Sequence, residues 1–146
     1  MPPLALTLGE PAGIGPDLTL RLWAERIARK LPPFFLAADR TFADALPIVS
    51  SGAPAAAVPG RPDSSSAAAA RASIDLAVRL VQQGKAAAVV TNPIAKHVMQ
   101  AGGFAFPGHT EYLAHLSGAP RPVMLIWSEE LAVGPLTIHI PLRDVP

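Results

Sequence analysis

An apolar run at residues 86–90, which we predict to be a buried strand, leads directly into a polar and glycine-rich stretch at residues 91–111. The stretch is predicted to enter a helix at Pro93, to stop at a glycine pair, and to re-emerge in a turn that presents His109 and Thr110 together. Open α/β sheets bind their ligands just past the carboxyl ends of strands. The pattern therefore predicts an α/β fold with a ligand site after this strand.

Apolar runs and helix-forming segments alternate along the chain. The predicted strands lie at residues 4–8, 34–38, 86–90, 123–127 and 136–140. The predicted helices lie between Asp17 and Pro32 and at residues 41–46, 67–83, 93–101 and 110–116. This order predicts a three-layer α/β/α domain with a mostly parallel sheet. The last two strands, about eight residues apart, are predicted to form an antiparallel hairpin.

Side-chain spacing predicts the buried faces of two helices. In the first, Leu18, Leu22 and Ile27 recur at helical spacing and are expected to face the core. In the Ala-rich helix at residues 67–83 the expected core positions are Ile74, Ala77, Val78 and Val81. Gly84 is the predicted stop of that helix.

Capping residues predict where other helices begin. Asp39 or Thr41 is the candidate cap of the short helix at residues 41–46, and Asn92 is the candidate cap of the helix that starts at Pro93. Residues 50–66, dominated by Ser, Ala, Pro and Gly, are predicted to form a surface loop.

Composition excludes several classes of function. The 146 residues carry a net charge of +1 with no basic cluster, which argues against nucleic acid as a partner. No cysteine is present, so disulfides and thiolate metal sites are excluded. No segment approaches the ~20 apolar residues of a membrane span, and the N-terminus does not resemble an export signal. We expect a cytoplasmic protein without a membrane partner.

A glycine-rich turn follows the first predicted strand. The sequence Gly13-Ile14-Gly15 is only part of a G-x-G-x-x-G pattern because position 18 is Leu, and no P-loop lysine follows. A tight turn that packs a strand against a helix and a loop that faces a ligand are equally compatible with it. Glu10 and Asp17 flank the turn and suit either role.

Lys96 is the one cation predicted in the first turn of its helix, where it opposes the helix dipole. Helix stability therefore does not explain it. Two interpretations stay open: a solvated lysine, or a residue that holds an anionic substrate.

The four histidines divide by context. His97 and His115 lie within predicted helices and are expected to be ordinary surface or half-buried residues. His109 follows a Pro-Gly turn that leaves its imidazole and the Thr110 hydroxyl free to face a ligand. His139, in the last predicted strand, is either a core residue or a metal ligand that needs partners from elsewhere. We expect His109 and His139 to open into one cleft.

Four segments together resemble the 4-hydroxythreonine-4-phosphate dehydrogenase family of vitamin B6 biosynthesis. They are GEPAGIGP at residues 9–16, TNPIAK at 91–96, GHTE at 108–111 and TIHIPLRDV at 137–145. The segments occur in the family's order and span almost the whole chain.

The resemblance implies a dimeric oxidoreductase with two α/β/α lobes, similar to the isocitrate and isopropylmalate dehydrogenases. Such enzymes oxidise 4-phosphooxy-L-threonine with NAD or NADP, and the 3-keto product loses carbon dioxide. A divalent metal (zinc, magnesium or cobalt) would hold the substrate. By motif match, His109 and Thr110 would contact the phosphorylated substrate, with Lys96 as a further candidate, and His139 would be one of three histidine metal ligands. No catalytic or cofactor-binding residue is assigned.

The chain departs from the family in length. By the resemblance, residues 1–146 would correspond to the N-terminal portion of a two-lobed dehydrogenase, and the other two metal histidines would belong to the portion that this sequence does not include. Such a chain is expected to bind metal poorly and to lack turnover. Two alternatives stay open: a dehydrogenase of a phosphorylated four-carbon sugar acid, and a non-catalytic folding or assembly module. The GHTE turn and the His139 strand argue against a fold-related phosphate acyltransferase.

Overall fold

A computed structural model describes residues 1–137 and 140–145 of the chain. In chain order its elements are β1 (Leu4–Thr7), α1 (Gly15–Glu25), β2 (Phe34–Ala38), β3 (Ile48–Ser50), α2 (Ala67–Gln82), β4 (Val89–Val90), α3 (Lys96–Ala101), α4 (His109–Ser117), β5 (Ile126–Trp127) and β6 (Ala132–Val133). Short 3₁₀ turns occupy Ser64–Ser66 and Leu142–Asp144. Within this part of the chain, none of the helices combines the length and the hydropathy needed to cross a bilayer.

Four strands form a parallel sheet in the order β3-β2-β1-β4. The strand predicted at residues 34–38 is confirmed as β2, and all of its side chains are buried. Continuous burial is typical of a parallel strand covered on both faces. The first predicted strand is confirmed as β1. The one predicted at residues 86–90 shortens to β4, which pairs with β1.

Helices cover both faces of this sheet, which confirms the α/β fold class. Because side chains alternate along a strand, β2 contributes to two apolar clusters. On one face, Phe35 shares a cluster with Ala77 and Leu80 of α2. On the other face, the Trp23 ring of α1 meets Phe34 edge-on, with 5.6 Å between the ring centroids.

The predicted buried face of the first helix is wrong. Leu18, Leu22 and Ile27 are 42%, 37% and 78% exposed, whereas the buried residues of α1 are Gly15 and Thr19. A Cβ atom on Gly15 would lie 2.7 Å from the carbonyl oxygen of the residue that follows β1. The close approach of small residues therefore fixes this helix on the sheet, and its leucines stay at the surface.

Residues 41–46 form turns and bends and not the predicted helix. The Asp39 carboxylate accepts from both the backbone N–H and the hydroxyl of Thr41, which is the bonding pattern of a helix cap, but the chain does not continue as a helix. The chain then adds β3, a strand that was not predicted, to the edge of the sheet.

The Ala-rich helix is confirmed as α2. Of its predicted core positions Ile74, Ala77 and Val78 are buried, while Val81 is partly exposed. The helix ends before Gly84, whose φ of 70° is accessible to glycine at little cost.

The C-terminal hairpin is present, but its second strand differs from the prediction. β5 and β6 pair antiparallel through Ile126–Val133 and Trp127–Ala132. The strand predicted at residues 123–127 shortens to β5, and β6 precedes the one predicted at residues 136–140. Leu136 and Thr137 are outside any strand, and residues 138 and 139 lie outside the described part of the chain.

Asn92 fastens the end of β4 to the rest of the domain. Asn92 was predicted to cap a helix that starts at Pro93, and this prediction is wrong because α3 begins at Lys96. Its backbone N–H donates to the Thr7 hydroxyl (3.1 Å), and its side-chain amide donates to the Thr7 carbonyl (2.9 Å) and the Thr19 hydroxyl (2.7 Å). Asn92 is buried, so these bonds are shielded from water. They join β4, β1 and α1 at one point.

Replacing Asn92→Ala should lower the free energy of unfolding by about 1–3 kcal/mol, because buried acceptors lose their donor. Urea denaturation followed by circular dichroism measures the change. Gln100→Ala, at an exposed position of α3, serves as the control and should change stability by less than ~0.5 kcal/mol. Equal stability of the two variants would contradict the role of Asn92.

Candidate functional site

Two loops meet at the carboxyl edge of the sheet: the glycine-rich turn after β1 and the loop after β4. The Glu10 N–H donates to the Pro93 carbonyl at 2.9 Å. Gly9 has a φ of 71°, and a Cβ atom there would lie 2.6 Å from the same carbonyl oxygen. These contacts explain the turn by packing, so the structure favours the packing interpretation over a ligand-facing loop.

Glu10 is a buried carboxylate whose role the sequence did not reveal. It is 4% exposed and accepts hydrogen bonds from the Ala12 N–H (3.0 Å) and the Ser66 hydroxyl (2.8 Å). Ser66 directly precedes α2, so the bond ties the glycine-rich turn to the start of that helix. The sequence did contain a signal for this role: an acidic residue lies between a glycine and a proline, and a solvated loop has no need of a carboxylate at that position.

Lys96 and His109 are the first residues of α3 and α4, and the structure brings them together. The Lys96 side chain extends to the turn before α4, since a Cβ atom on Gly108 would lie 4.0 Å from Nζ. The same point is 3.8 Å from Oε2 of Glu111. Lys96 takes part in none of the ion pairs found among the described residues. Its exposed ammonium therefore lies beside the start of α4, where it can bind an anion.

The His109 imidazole is half-buried, and its Nε2 atom has no hydrogen-bond partner within residues 1–137 and 140–145. Burial lowers the pKa of His109 below its ordinary value of 6.5, and the positive charge of Lys96 lowers that pKa further. The lowered pKa favours the neutral form of the ring. A neutral imidazole with a free ring nitrogen can exchange a hydrogen bond with a ligand.

Thr110 follows His109 and lines an apolar groove of about 450 Å³ between α2, β4 and α4. Other lining residues are Val78, Val89 and Leu113. Thr110 therefore borders an apolar surface that Lys96 and His109 do not line. Of the residues predicted to contact the substrate, Lys96, His109 and Thr110 all lie at the starts of α3 and α4.

The remaining histidines do not extend this site. His97 and His115 are exposed, as predicted, and the His115 ring packs on Phe106 at 5.1 Å between centroids. His139 lies outside the described residues, so its expected cleft with His109 stays a prediction. Among the residues that are described, no three His, Asp or Glu side chains converge on a possible metal position. The described residues therefore do not form a metal site on their own.

Tyr112, the single tyrosine, also escaped the sequence analysis. It is buried in α4 one turn after His109, and its hydroxyl bonds to Asp75 and Arg71 of α2. The signal that the sequence offered for this link was an aromatic residue with a polar hydroxyl within a short predicted helix. Helical spacing alone does not reveal which helix lies opposite.

Comparison with known proteins gives a consistent result. Residues 19–146 match the family described as Pyridoxal phosphate biosynthetic protein PdxA. A 4-hydroxythreonine-4-phosphate dehydrogenase of Xanthobacter autotrophicus is 49% identical over 175 residues, which cover 99% of this chain and 50% of that relative. One from Bradyrhizobium diazoefficiens is 47% identical, with 97% and 52% covered. The chain thus spans about half the length of the curated relatives it matches.

Solved structures show the same likeness. A crystal structure of a 4-hydroxythreonine-4-phosphate dehydrogenase from Burkholderia phymatum superposes with a TM-score of 0.86 at 26% identity, covering 99% of this chain and 52% of that one. The enzyme of the same name from Klebsiella pneumoniae gives a TM-score of 0.85 at 26% identity, with 99% and 53% covered.

The lowered pKa of His109 predicts a pH dependence of stability. The unfolded chain binds the proton at a higher pH than the folded chain does, so this contribution is present above pH 6.5 and is lost as the pH falls through the lower, folded pKa. Urea denaturation between pH 7.5 and 5 measures it. His109→Gln should lose less stability on acidification than the original chain. A pH profile with the same slope in both proteins would contradict the assignment.

Proposed function

Because the chain belongs to the Pyridoxal phosphate biosynthetic protein PdxA family, we propose that it serves in the oxidation of 4-phosphooxy-L-threonine by NAD or NADP. The product would be a 3-keto acid that loses carbon dioxide. The chain would form the N-terminal portion of a two-lobed, cytoplasmic enzyme, since its relatives are about twice as long. The observation that carries the proposal is that the half-buried His109 and the side chain of Lys96 lie together at the starts of α4 and α3.

A phosphorylated substrate fits the charge of this site. The first N–H groups of a helix lack partners within the helix, and the helix dipole favours an anion there. The α4 helix offers such a start at His109, with the Lys96 side chain alongside. Lys96 would neutralise the phosphate or carboxylate, and Thr110 would hydrogen-bond the same molecule.

His109 supports a role in orienting the substrate. Among the described residues its buried Nε2 atom has no hydrogen-bond partner, and burial lowers the pKa of the ring. A hydrogen bond accepted from a substrate hydroxyl, or donated to a phosphate oxygen, would satisfy that atom and remove the cost of leaving it unpaired. This geometry favours binding over surface solvation as the reason for the side chain's position.

The proposed reaction also requires a divalent metal and a nicotinamide cofactor, and the described residues supply few of the contacts that would bind them. His139 would be one ligand of a divalent metal (zinc, magnesium or cobalt), and the other ligands would come from outside the described residues. When bound, the metal would polarise the substrate oxygen, and the nicotinamide would accept the hydride. Lys96, His109 and Thr110 would hold the substrate in place for both.

A second candidate keeps the chemistry and changes the substrate to a phosphorylated four-carbon sugar acid. The exposed ammonium of Lys96 favours either substrate, because both carry a phosphate and a carboxylate. A third candidate, a non-catalytic folding or assembly module, is favoured by the fact that the described residues form no metal site on their own.

A chimera tests the leading function: residues 1–146 joined to the second half of the Xanthobacter autotrophicus relative, which is 49% identical over its matched part. NADH or NADPH formation should follow addition of 4-phosphooxy-L-threonine and a divalent ion. Lys96→Met should raise KM about tenfold or more, because a charge-assisted hydrogen bond is worth ~1.5–3 kcal/mol.

Lys85→Met is the control in the chimera, because Lys85 is an exposed lysine on another surface. It should leave KM within about twofold of the unsubstituted chimera. Turnover of only the sugar acid would select the second candidate. An unchanged KM in Lys96→Met would contradict the role of Lys96, and an inactive chimera that still folds would favour the third candidate.

The homodimer expected from the family also belongs to this proposal. Support comes from the hairpin region at residues 123–136, where Trp127 is 69% exposed and Leu136 is 90% exposed. An apolar surface of this kind is typical of a protein contact, and the outer edge of β5 or β6 can pair with a second copy.

Trp127→Ser should shift the protein from dimer to monomer in light scattering after size-exclusion chromatography, because the substitution removes one of the largest exposed apolar groups. Ile27→Ser is the matched control, since Ile27 is an exposed aliphatic residue just beyond α1. The control should leave the oligomeric state unchanged. A dimer that survives Trp127→Ser and dissociates with Ile27→Ser would place the interface elsewhere.

A further inference from the structure

A polar link joins the first turn of α4 to α2. Tyr112 lies one turn after His109, and its backbone N–H donates to the Gly108 carbonyl at 3.3 Å, so it belongs to that turn. The Tyr112 hydroxyl donates to the carboxylate of Asp75 and accepts from Nε of Arg71 at 3.1 Å. Both partners lie on α2, four positions apart and thus on one face of the helix.

Aromatic packing holds the Tyr112 ring in the orientation that this link requires. Its ring centroid lies 4.8 Å from that of Phe104 and 4.9 Å from that of Phe106. Tyr112 is 1% exposed, so the ring has little freedom to turn away from α2. Burial, together with the hydrogen bond to Asp75, raises the pKa of Tyr112. The phenol therefore stays protonated at neutral pH and keeps donating to Asp75.

The α2 helix that receives this link is itself fixed to the sheet. The Ser73 hydroxyl accepts from the Leu8 N–H at 2.7 Å and donates to the Ala37 carbonyl at 2.6 Å. These two backbone groups follow β1 and lie in β2, at the carboxyl edge of the sheet. Ser73 is buried and lies two positions before Asp75 in α2. One helix thus carries both the anchor on the sheet edge and the anchor for α4.

We propose that Tyr112 is a positioning residue that, through Asp75, sets where the first turn of α4 holds His109 and Thr110. The proposal rests on the proposed function only in taking these two side chains as the ones that contact the substrate. The Tyr112 hydroxyl then has a role distinct from the packing of the ring. The aromatic ring keeps α4 folded, and the hydroxyl fixes the place of its first turn.

Titration of His109 by NMR tests the proposal in the chain itself. Tyr112→Phe keeps the ring and removes the hydroxyl. Because burial is the main reason for the lowered pKa of His109, and Lys96 the second, a displaced first turn should move the titration midpoint up towards 6.5. Gln82→Ala is the matched control, since Gln82 of α2 donates to the Leu116 carbonyl near the other end of α4 (2.9 Å). The control should leave the His109 midpoint unchanged.

Two substitutions of Asp75 separate positioning from general stability. Asp75→Ala removes the acceptor and should shift the His109 midpoint as Tyr112→Phe does. Asp75→Asn keeps an acceptor oxygen and should restore the original midpoint. This pair also decides the question if Tyr112→Phe fails to fold. An unchanged midpoint in both Tyr112→Phe and Asp75→Ala, or an equal shift in Gln82→Ala, would overturn the proposal.

The titration needs neither substrate nor turnover. If the dehydrogenase activity proposed above is absent, the link between Tyr112 and His109 still gives its shift. If the shift is absent and the chimera is active, the proposed function stands and the positioning role of Tyr112 falls.

Discussion

The buried amide of Asn92 is the interaction on which the site depends. It binds Thr7 at the end of β1 and Thr19 in α1, and so fixes the point at which the chain leaves β4. A Cβ atom on Gly9 would lie 2.8 Å from the Cβ of Asn92, so the neighbouring turn has room only for glycine. The junction therefore fixes where the chain enters the loop that leads to α3 and Lys96.

The site combines charge with incomplete hydrogen bonding. Within residues 1–137 and 140–145, the exposed Lys96 forms no ion pair, and the partly buried ring of His109 has no hydrogen-bond partner at Nε2. Each arrangement costs stability when the site is empty. A ligand that carries an anionic group and a hydroxyl would relieve both costs, which is the physical link between this geometry and a phosphorylated hydroxy acid. Strain of this kind is typical of binding sites and not of structural surfaces.

The sequence predicted the parallel sheet and α2, because continuous apolar runs and glycine stops are local signals. It did not predict the burial of α1, because the contact runs through Gly15 and Thr19 and depends on how closely two backbones approach. Asn92 was wrongly predicted to cap a helix because asparagine is equally suited to capping a helix and to forming buried hydrogen bonds between elements. The link from Tyr112 to Asp75 is non-local and has no periodic signature.

The family assignment, the parallel sheet and the paired helix starts support our central proposal, in which the substrate binds at the start of α4 beside Lys96. The most direct measurement is an NMR titration of the isotopically labelled chain with 4-phosphooxy-L-threonine. The account predicts that the amide signals of His109 and Thr110 and the side-chain signal of Lys96 shift together and saturate. Shifts confined to the glycine-rich turn at residues 9–16, with those three residues unchanged, would contradict it.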